Sequence, residues 1–194
     1  MRFFPLTTIG AVSLLALAGC GGSGTTTPTQ SFADVDAVAT VLQAQYTDAN
    51  GDLLAGIAAA SGTDINSSAN ATYSGYVAGD VGGDILVGTL SVEADFGART
   101  TNSTATGFFH ETDGAYAGTL SGVGVISPSA PAGVPQVSAS LTGNLTLGGV
   151  DTATDLALDG NFIPNGGDPT GAIAGTADGT FGAALFSGNF AAEN

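Results

Sequence analysis

Few residues in this chain are equipped for chemistry, and their spacing limits what they could do. Asp48-Ala49-Asn50-Gly51-Asp52 places oxygen ligands at alternate positions, like the opening of a calcium loop. The sixth position, however, is Leu53 and the twelfth is Ala59, where such a loop needs a glycine and a bidentate glutamate. An Asn-Gly turn accounts for the pattern better, and a cation on Asp48, Asn50 and Asp52 is the second reading. His110 is the only histidine, followed by Glu111 and Asp113. One imidazole is a thin basis for a metal centre, and a strand end running into an Asp113-Gly114 turn explains all three. Glu93/Asp95 and Asp155/Asp159 fall at alternating strand positions, which describes a solvated face rather than the paired acid and base of a glycosidase. There is no Gly-x-Ser-x-Gly elbow and no lysine to serve as base. The expectation is a non-enzyme with no catalytic residues, no cofactor and no metal.

The remaining candidate is Cys20, the single cysteine, which cannot form an intramolecular disulfide. It closes a segment with Arg2 at its start and an acid-free apolar run from Phe3 to Leu17, the layout of an export signal. That run is short and rich in small residues for a membrane span. Leu17-Ala18-Gly19-Cys20 resembles the bacterial lipobox at all four positions. The resemblance implies cleavage before Cys20, acylation of its thiol with diacylglycerol and acylation of the new amine. Buried acyl chains at about 0.8 kcal/mol per CH₂ would hold the protein firmly on a bilayer. The alternative is an ordinary signal peptide with an incidental cysteine, which leaves a free thiol in an oxidising compartment. Gly21 follows Cys20. The absence of an aspartate there favours the outer membrane over the inner one, on the periplasmic face or at the cell surface.

The elements that must carry any function are all-β in composition. Of 194 residues 31 are glycine, charged residues make up 10%, and the net charge is −15. Removing residues 1–19 also removes Arg2 and leaves 17 acids against Arg99, or −16. Such a surface is repelled by phosphate backbones, so nucleic acid is excluded as a partner. Gly21–Gln30 has the composition of a flexible tether. Ser31-Phe32-Ala33-Asp34 is a capping box. Phe32, Val35, Val38, Ala39, Leu42 and Tyr46 then recur at helical spacing, which predicts a short amphipathic helix over Phe32–Gln45. Its apolar face is expected to pack on the barrel or plug one end of it.

From Thr72 onward the period changes to two. In Ile85–Phe96 the residues Leu86, Gly88, Leu90, Val92, Ala94 and Phe96 share one face. Eight strands are predicted at 72–79, 84–96, 101–110, 115–126, 136–147, 152–163, 170–178 and 180–191. Turn clusters separate them about every ten residues, the last at Asp178-Gly179. Glycine recurs inside strands, at Gly75, Gly118, Gly143, Gly175 and Gly188, where a coiled sheet needs room to bend. Gly88 is expected at such a bend. Closure into an eight-stranded antiparallel up-and-down barrel removes aggregation-prone edges; an open sandwich is the alternative. The domain boundaries are 1–19 signal peptide, 20–30 tether, 31–71 helix and connecting loop, and 72–194 barrel.

Tyr73-Ser-Gly-Tyr76, Gly88-Thr-Leu-Ser-Val-Glu-Ala-Asp95-Phe96, Leu141-Thr-Gly-Asn-Leu145, Asp159-Gly-Asn-Phe162 and Gly171-Ala-Ile-Ala-Gly175 occur in that order. Phe181-Gly182 and Phe186-Ser-Gly-Asn-Phe190-Ala-Ala-Glu193 follow. Together they resemble the β-barrel domain of the transferrin-binding protein B type of surface lipoprotein, which factor H binding protein and other Gram-negative lipoproteins share. The resemblance implies an eight-stranded barrel over residues 72–193. It brings no ligand with it, since no partner-binding loop is matched and there is no room for the handle domain of the larger members. The expected function is a lipid-anchored binding module presenting loops to a host or environmental protein or small ligand. The alternatives are an integral eight-stranded outer-membrane barrel and a structural envelope lipoprotein. The chain has no Trp, four Tyr and no terminal aromatic, a poor supply for the girdles of an integral barrel.

Overall fold

The computed structural model describes residues 30–131 and 134–194. The signal segment, Cys20 and the tether as far as Thr29 lie outside the described residues. Eight strands, β1 (Ala71–Val81), β2 (Asp84–Asp95), β3 (Thr100–His110), β4 (Gly114–Ile126), β5 (Val137–Leu147), β6 (Val150–Asn165), β7 (Asp168–Phe181) and β8 (Ala184–Glu193), form a closed antiparallel barrel in sequence order. Each strand pairs with its chain neighbour, and β8 returns to β1 from Ser74↔Glu193 to Val81↔Phe186. The architecture expected from the two-residue period is therefore the one observed, and the sandwich alternative is ruled out.

Three of the hairpins turn on Gly-Gly pairs with positive φ at both residues: Gly82-Gly83 and Gly148-Gly149 lie at the β1–β2 and β5–β6 joints of one end, and Gly166-Gly167 at the β6–β7 joint of the other. That is the backbone of the two-residue turn whose twist matches the flanking strands. The last turn differs from expectation. Asp178 and Gly179 sit inside β7, paired with Ser187 and Phe186, and the chain reverses at Gly182-Ala183 instead. Asp-Gly imitates a turn signal here, but Asp178 accepts a hydrogen bond from Ser187 Oγ (2.9 Å), and Gly179 is small because Asp155 O crowds its α-carbon.

The lumen is packed with apolar side chains. Leu86, Leu90, Val92, Ala94 and Phe96 all point inward, as the alternation requires, and meet Tyr73, Phe108, Leu120, Leu141, Leu145, Leu156, Phe162, Phe186 and Phe190. Three of the rings pack against glycines. A β-carbon on Gly88 would stand 2.7 Å from the Phe108 ring, one on Gly79 2.6 Å from Phe186, and one on Gly160 2.7 Å from Phe190. Gly88 is thus a seat for an aromatic ring rather than the bend itself. The neighbouring irregularity is a bulge whose extra residue is on β3, where Gly107 has φ 59°.

Helix α1 (Phe32–Tyr46) has the predicted capping box, with Ser31 and Asp34 bonded to each other's backbone N–H. It lies along the outer wall rather than in an end of the barrel. Val35, Ala39, Leu42 and Tyr46 are buried with Tyr76, Val87, Ile163, Ala172, Ala174 and Ala191. Val38 falls outside this stripe and is exposed. A second helix, α2 (Gly62–Ser67), has no counterpart among the predicted elements, which held a single helix and a loop before the barrel. Its signal was nevertheless present, since Ser61 and Asp64 repeat the capping box of α1.

The ring-on-glycine seats give a direct test. Gly88→Ala should lower stability by about 1–3 kcal/mol, because a methyl is forced into a filled lumen. Adding Phe108→Leu should recover part of that loss. Urea denaturation of the two single variants and the double variant measures the coupling, and strict additivity would show that the ring and the glycine are independent.

Candidate functional site

The sequence candidates scatter over the barrel. Asp48, Asn50 and Asp52 form a turn that seals itself. Asp48 Oδ1 accepts from the Asn50 N–H (2.8 Å) and the Asp52 N–H (3.1 Å), and the Asp48 N–H donates to Asp52 O (2.9 Å). The carboxylate is engaged as a turn cap, and Gly51, with φ 84°, lies against Gly175 and Thr176 of β7. His110 is the last residue of β3, buried and facing the lumen. Its Nδ1 accepts from the Asp113 N–H (3.3 Å) and lies 3.5 Å from Asp113 Oδ2. The ring stacks on Phe181 at 6.4 Å, and Tyr116 meets Phe181 edge-on at 5.2 Å. The Tyr116 hydroxyl donates to Asp113 (3.2 Å). This histidine is part of a ring cluster covering one end of the lumen. Among the described residues no three His, Cys, Asp or Glu side chains converge on one point.

The opposite end is covered by α2. Ile65 and Ala60 join the lumen core beside Tyr73, Phe96 and Phe162, with ring centroids 5.9 Å (Tyr73–Phe162) and 5.0 Å (Phe96–Phe162) apart. Buried Gln136 fastens this cover. Its Nε2 donates to Ala60 O (2.7 Å), its Oε1 accepts from the Phe162 N–H (3.1 Å), and the Ala60 N–H donates to Phe162 O (2.7 Å). With rings and α2 at the ends and leucines and phenylalanines between, the lumen is a core and not a ligand chamber.

A polar cluster that the sequence did not announce ties α1 to the barrel. Glu193 Oε1 accepts from the Tyr46 hydroxyl (2.5 Å), Gln45 Nε2 (3.0 Å) and Asn165 Nδ2 (3.1 Å). Burial, with Glu193 second, holds the Tyr46 phenol well above its ordinary range. Tyr46 and Glu193 are separated by nearly the whole folded chain, so no local pattern could pair them. Two other buried phenols are locked similarly: Tyr73 donates to Thr170 O (2.6 Å) and Tyr76 to Asn189 Oδ1 (2.5 Å). Burial pushes each of them up to about 12.

The outer wall has the opposite character to the lumen. Asp155 and Asp159 alternate with Ala153 and Ala157 on β6, all exposed, and Ser138 Oγ donates to Asp159 (2.5 Å). Glu93 is exposed and Asp95 half-buried on β2, where Asp95 caps the following turn through the Ala98 N–H (2.8 Å). These carboxylates are spread along strands and are not brought together as an acid and base pair. No family model, curated protein or solved structure matches the chain.

Two outcomes follow from the buried polar groups. The folded state keeps the Tyr73 and Tyr76 protons, whereas the unfolded chain releases them above pH 10. Their contribution to stability is therefore intact below pH 10 and is lost as the pH climbs toward 12. Thermal melts between pH 9 and 12 should show this fall, and Tyr73→Phe should make it shallower. Separately, the buried Thr101 Oγ1 has no hydrogen-bond partner inside the lumen. Thr101→Val should raise stability by about 1 kcal/mol, as an unpaired buried hydroxyl is costly; a loss in urea titration would point to a partner for that hydroxyl.

Proposed function

We propose that this protein is a lipid-anchored, non-enzymatic interaction module of the outer membrane, held by Cys20 and working through its outer wall and loops. The observation that carries the reading is the polarity of the barrel. Its lumen is filled with Leu and Phe, and its outward strand positions are mainly Ser, Thr, Asn, Asp and Ala, with Tyr76, Val87 and Ile163 covered by α1 and Ile85, Val123, Val125, Val150 and Leu185 exposed. A barrel that spans a bilayer needs an apolar band outside and is typically polar within. The observed distribution supports a barrel that stands in water and leaves anchoring to another part of the chain. Leu17-Ala18-Gly19-Cys20 supplies that anchor, and Gly21–Gln30 a spacer. In this reading the barrel is akin to that of the transferrin-binding protein B type lipoproteins, with no ligand carried over from them.

A filled lumen also argues against a small molecule held inside and favours recognition on the exterior. The scattered carboxylates, the buried histidine and the absence of lysine support a role without catalysis.

The anchor is tested in cells with labelled fatty acid. The native chain should take up label and fractionate with membranes, and Cys20→Ser should take up none and move to the soluble fraction. A native chain without label, or a Cys20→Ser chain still bound to membrane, would overturn the proposal. Orientation is read with trypsin on intact cells. Beyond the signal segment Arg99 is the only basic cleavage site, in the exposed β2–β3 turn with φ 59°. Surface display predicts cutting there, and protection until the outer membrane is permeabilised would assign the periplasmic face.

A further inference from the structure

Charge is distributed unevenly around the barrel. β3, β4 and β5 contain no Asp, Glu, Lys or Arg in a chain that carries 17 acids. Their outward residues form cross-strand rows that end on an acid of β6 and, in the first of the two that follow, on an acid of β2 as well. One row runs Asp95–Thr100–Val125–Ser138–Asp159, and another runs Ser91–Thr104–Ser121–Thr142–Asp155. Between them Glu93 pairs with Asn102 and Asn102 with Val123. At the centre of this neutral wall Val123 is 72% and Val125 57% exposed, among Ser138, Ser140 and Ala157. Helix α1 covers the far side, over β8, β1 and β2.

We propose that the outer wall of β3–β5 is a self-association surface, on which a second copy of this chain docks through Val123 and Val125. The charge pattern selects the occupant. Two molecules of net charge −15 repel through their acidic walls, and like charges placed face to face at an interface are costly. Only an approach that pairs neutral wall with neutral wall keeps the acids of β2 and β6 at the rim, where water screens them. The wall's side chains are small, so two β surfaces can close to the ~10 Å spacing of packed sheets. A two-fold axis near Val123 makes the contact self-complementary. Three strands of this length offer roughly 500 Å² per copy, less than the ~800 Å² per partner of stable complexes. The dimer is therefore weak in solution and strengthens when copies are confined together. Salt screens the acidic rims and tightens it, the reverse of a contact held by opposite charges.

The test uses the full chain extracted in mild detergent. Ser121→Cys places a thiol on the neutral wall, and Ala153→Cys places one on the acidic wall between Asp151 and Asp155; a short bis-maleimide then reports proximity. The unsubstituted chain is the blank for Cys20. A product of twice the chain mass should form at Ser121→Cys well above the Ala153→Cys level, increase from low to high salt, and fall to the Ala153→Cys level when Val123→Asp is added. Val123 is largely exposed, so the aspartate leaves the lumen intact, and circular dichroism checks this. If the charged variant fails to fold, the comparison between the two cysteine positions still decides. Equal yields at the two positions, no product at Ser121→Cys, a yield that falls with salt, or a product of another mass would each overturn the proposal.

Discussion

The structure depends on filling a narrow lumen. An eight-stranded barrel leaves room inside for side chains and little else, and here that room is taken by large rings. The chain solves the fit by placing glycine where a ring comes too close for a β-carbon, with Phe108 at Gly88, Phe186 at Gly79 and Phe190 at Gly160. Each ring then buries most of its surface without pushing a neighbouring strand outward. Glycine weakens a strand in isolation. At Gly88, Gly79 and Gly160 an aromatic ring from a nearby strand supplies the lost packing, so these three glycines pair with Phe108, Phe186 and Phe190.

A full lumen fixes the polarity of everything else. Because the inward positions are apolar, the outward ones are free to be Ser, Thr, Asn and Asp, and closure leaves no sheet edge to protect. The ends need covers, and the two covers differ. At one end the rings of His110, Tyr116 and Phe181 gather; at the other α2 inserts Ile65, with Gln136 bonded to the backbone on both sides of the joint. The single histidine and the buried glutamine are best understood as cover residues, His110 packed among rings and held by Asp113, Gln136 bonded to backbone. Helix α1 is an addition to the outside, joined by an apolar stripe and by the Glu193 carboxylate, so the wall it covers is unlike the wall opposite. That asymmetry separates a helix-clad side from a bare, uncharged side.

The strand pattern and the turn residues make the barrel legible in the sequence. Alternation in Ile85–Phe96 identified the inward face residue by residue, and the Gly-Gly pairs marked the reversals. The failures have physical causes. Asp178-Gly179 has turn chemistry but sits within β7, because tertiary crowding by Asp155 also selects a glycine. Val38 fits a helical stripe in one dimension, yet it lies at the edge of the α1 contact, half exposed over a groove along β1, β2 and β3. Helix α2 is one and a half turns long, too short for a periodicity signal, and only its capping box betrayed it.

By itself, the sequence determined the period of two, the number of strands, the reversals at glycine pairs, the cap of α1 and the strongly negative net charge. These are local properties, set by a residue and its near neighbours through backbone sterics and side-chain alternation. Only the tertiary structure decided which rings rest on which glycines, that α1 lies outside the wall and not in the lumen, that Tyr46 meets Glu193, and that β3, β4 and β5 form one neutral surface. The Tyr46–Glu193 contact and the seat of α1 depend on closure, which brings β8 to β1 and sets residues far apart in the chain side by side. Distance along the chain carries no record of such contacts, and the curvature that creates them exists only once all eight strands are in place.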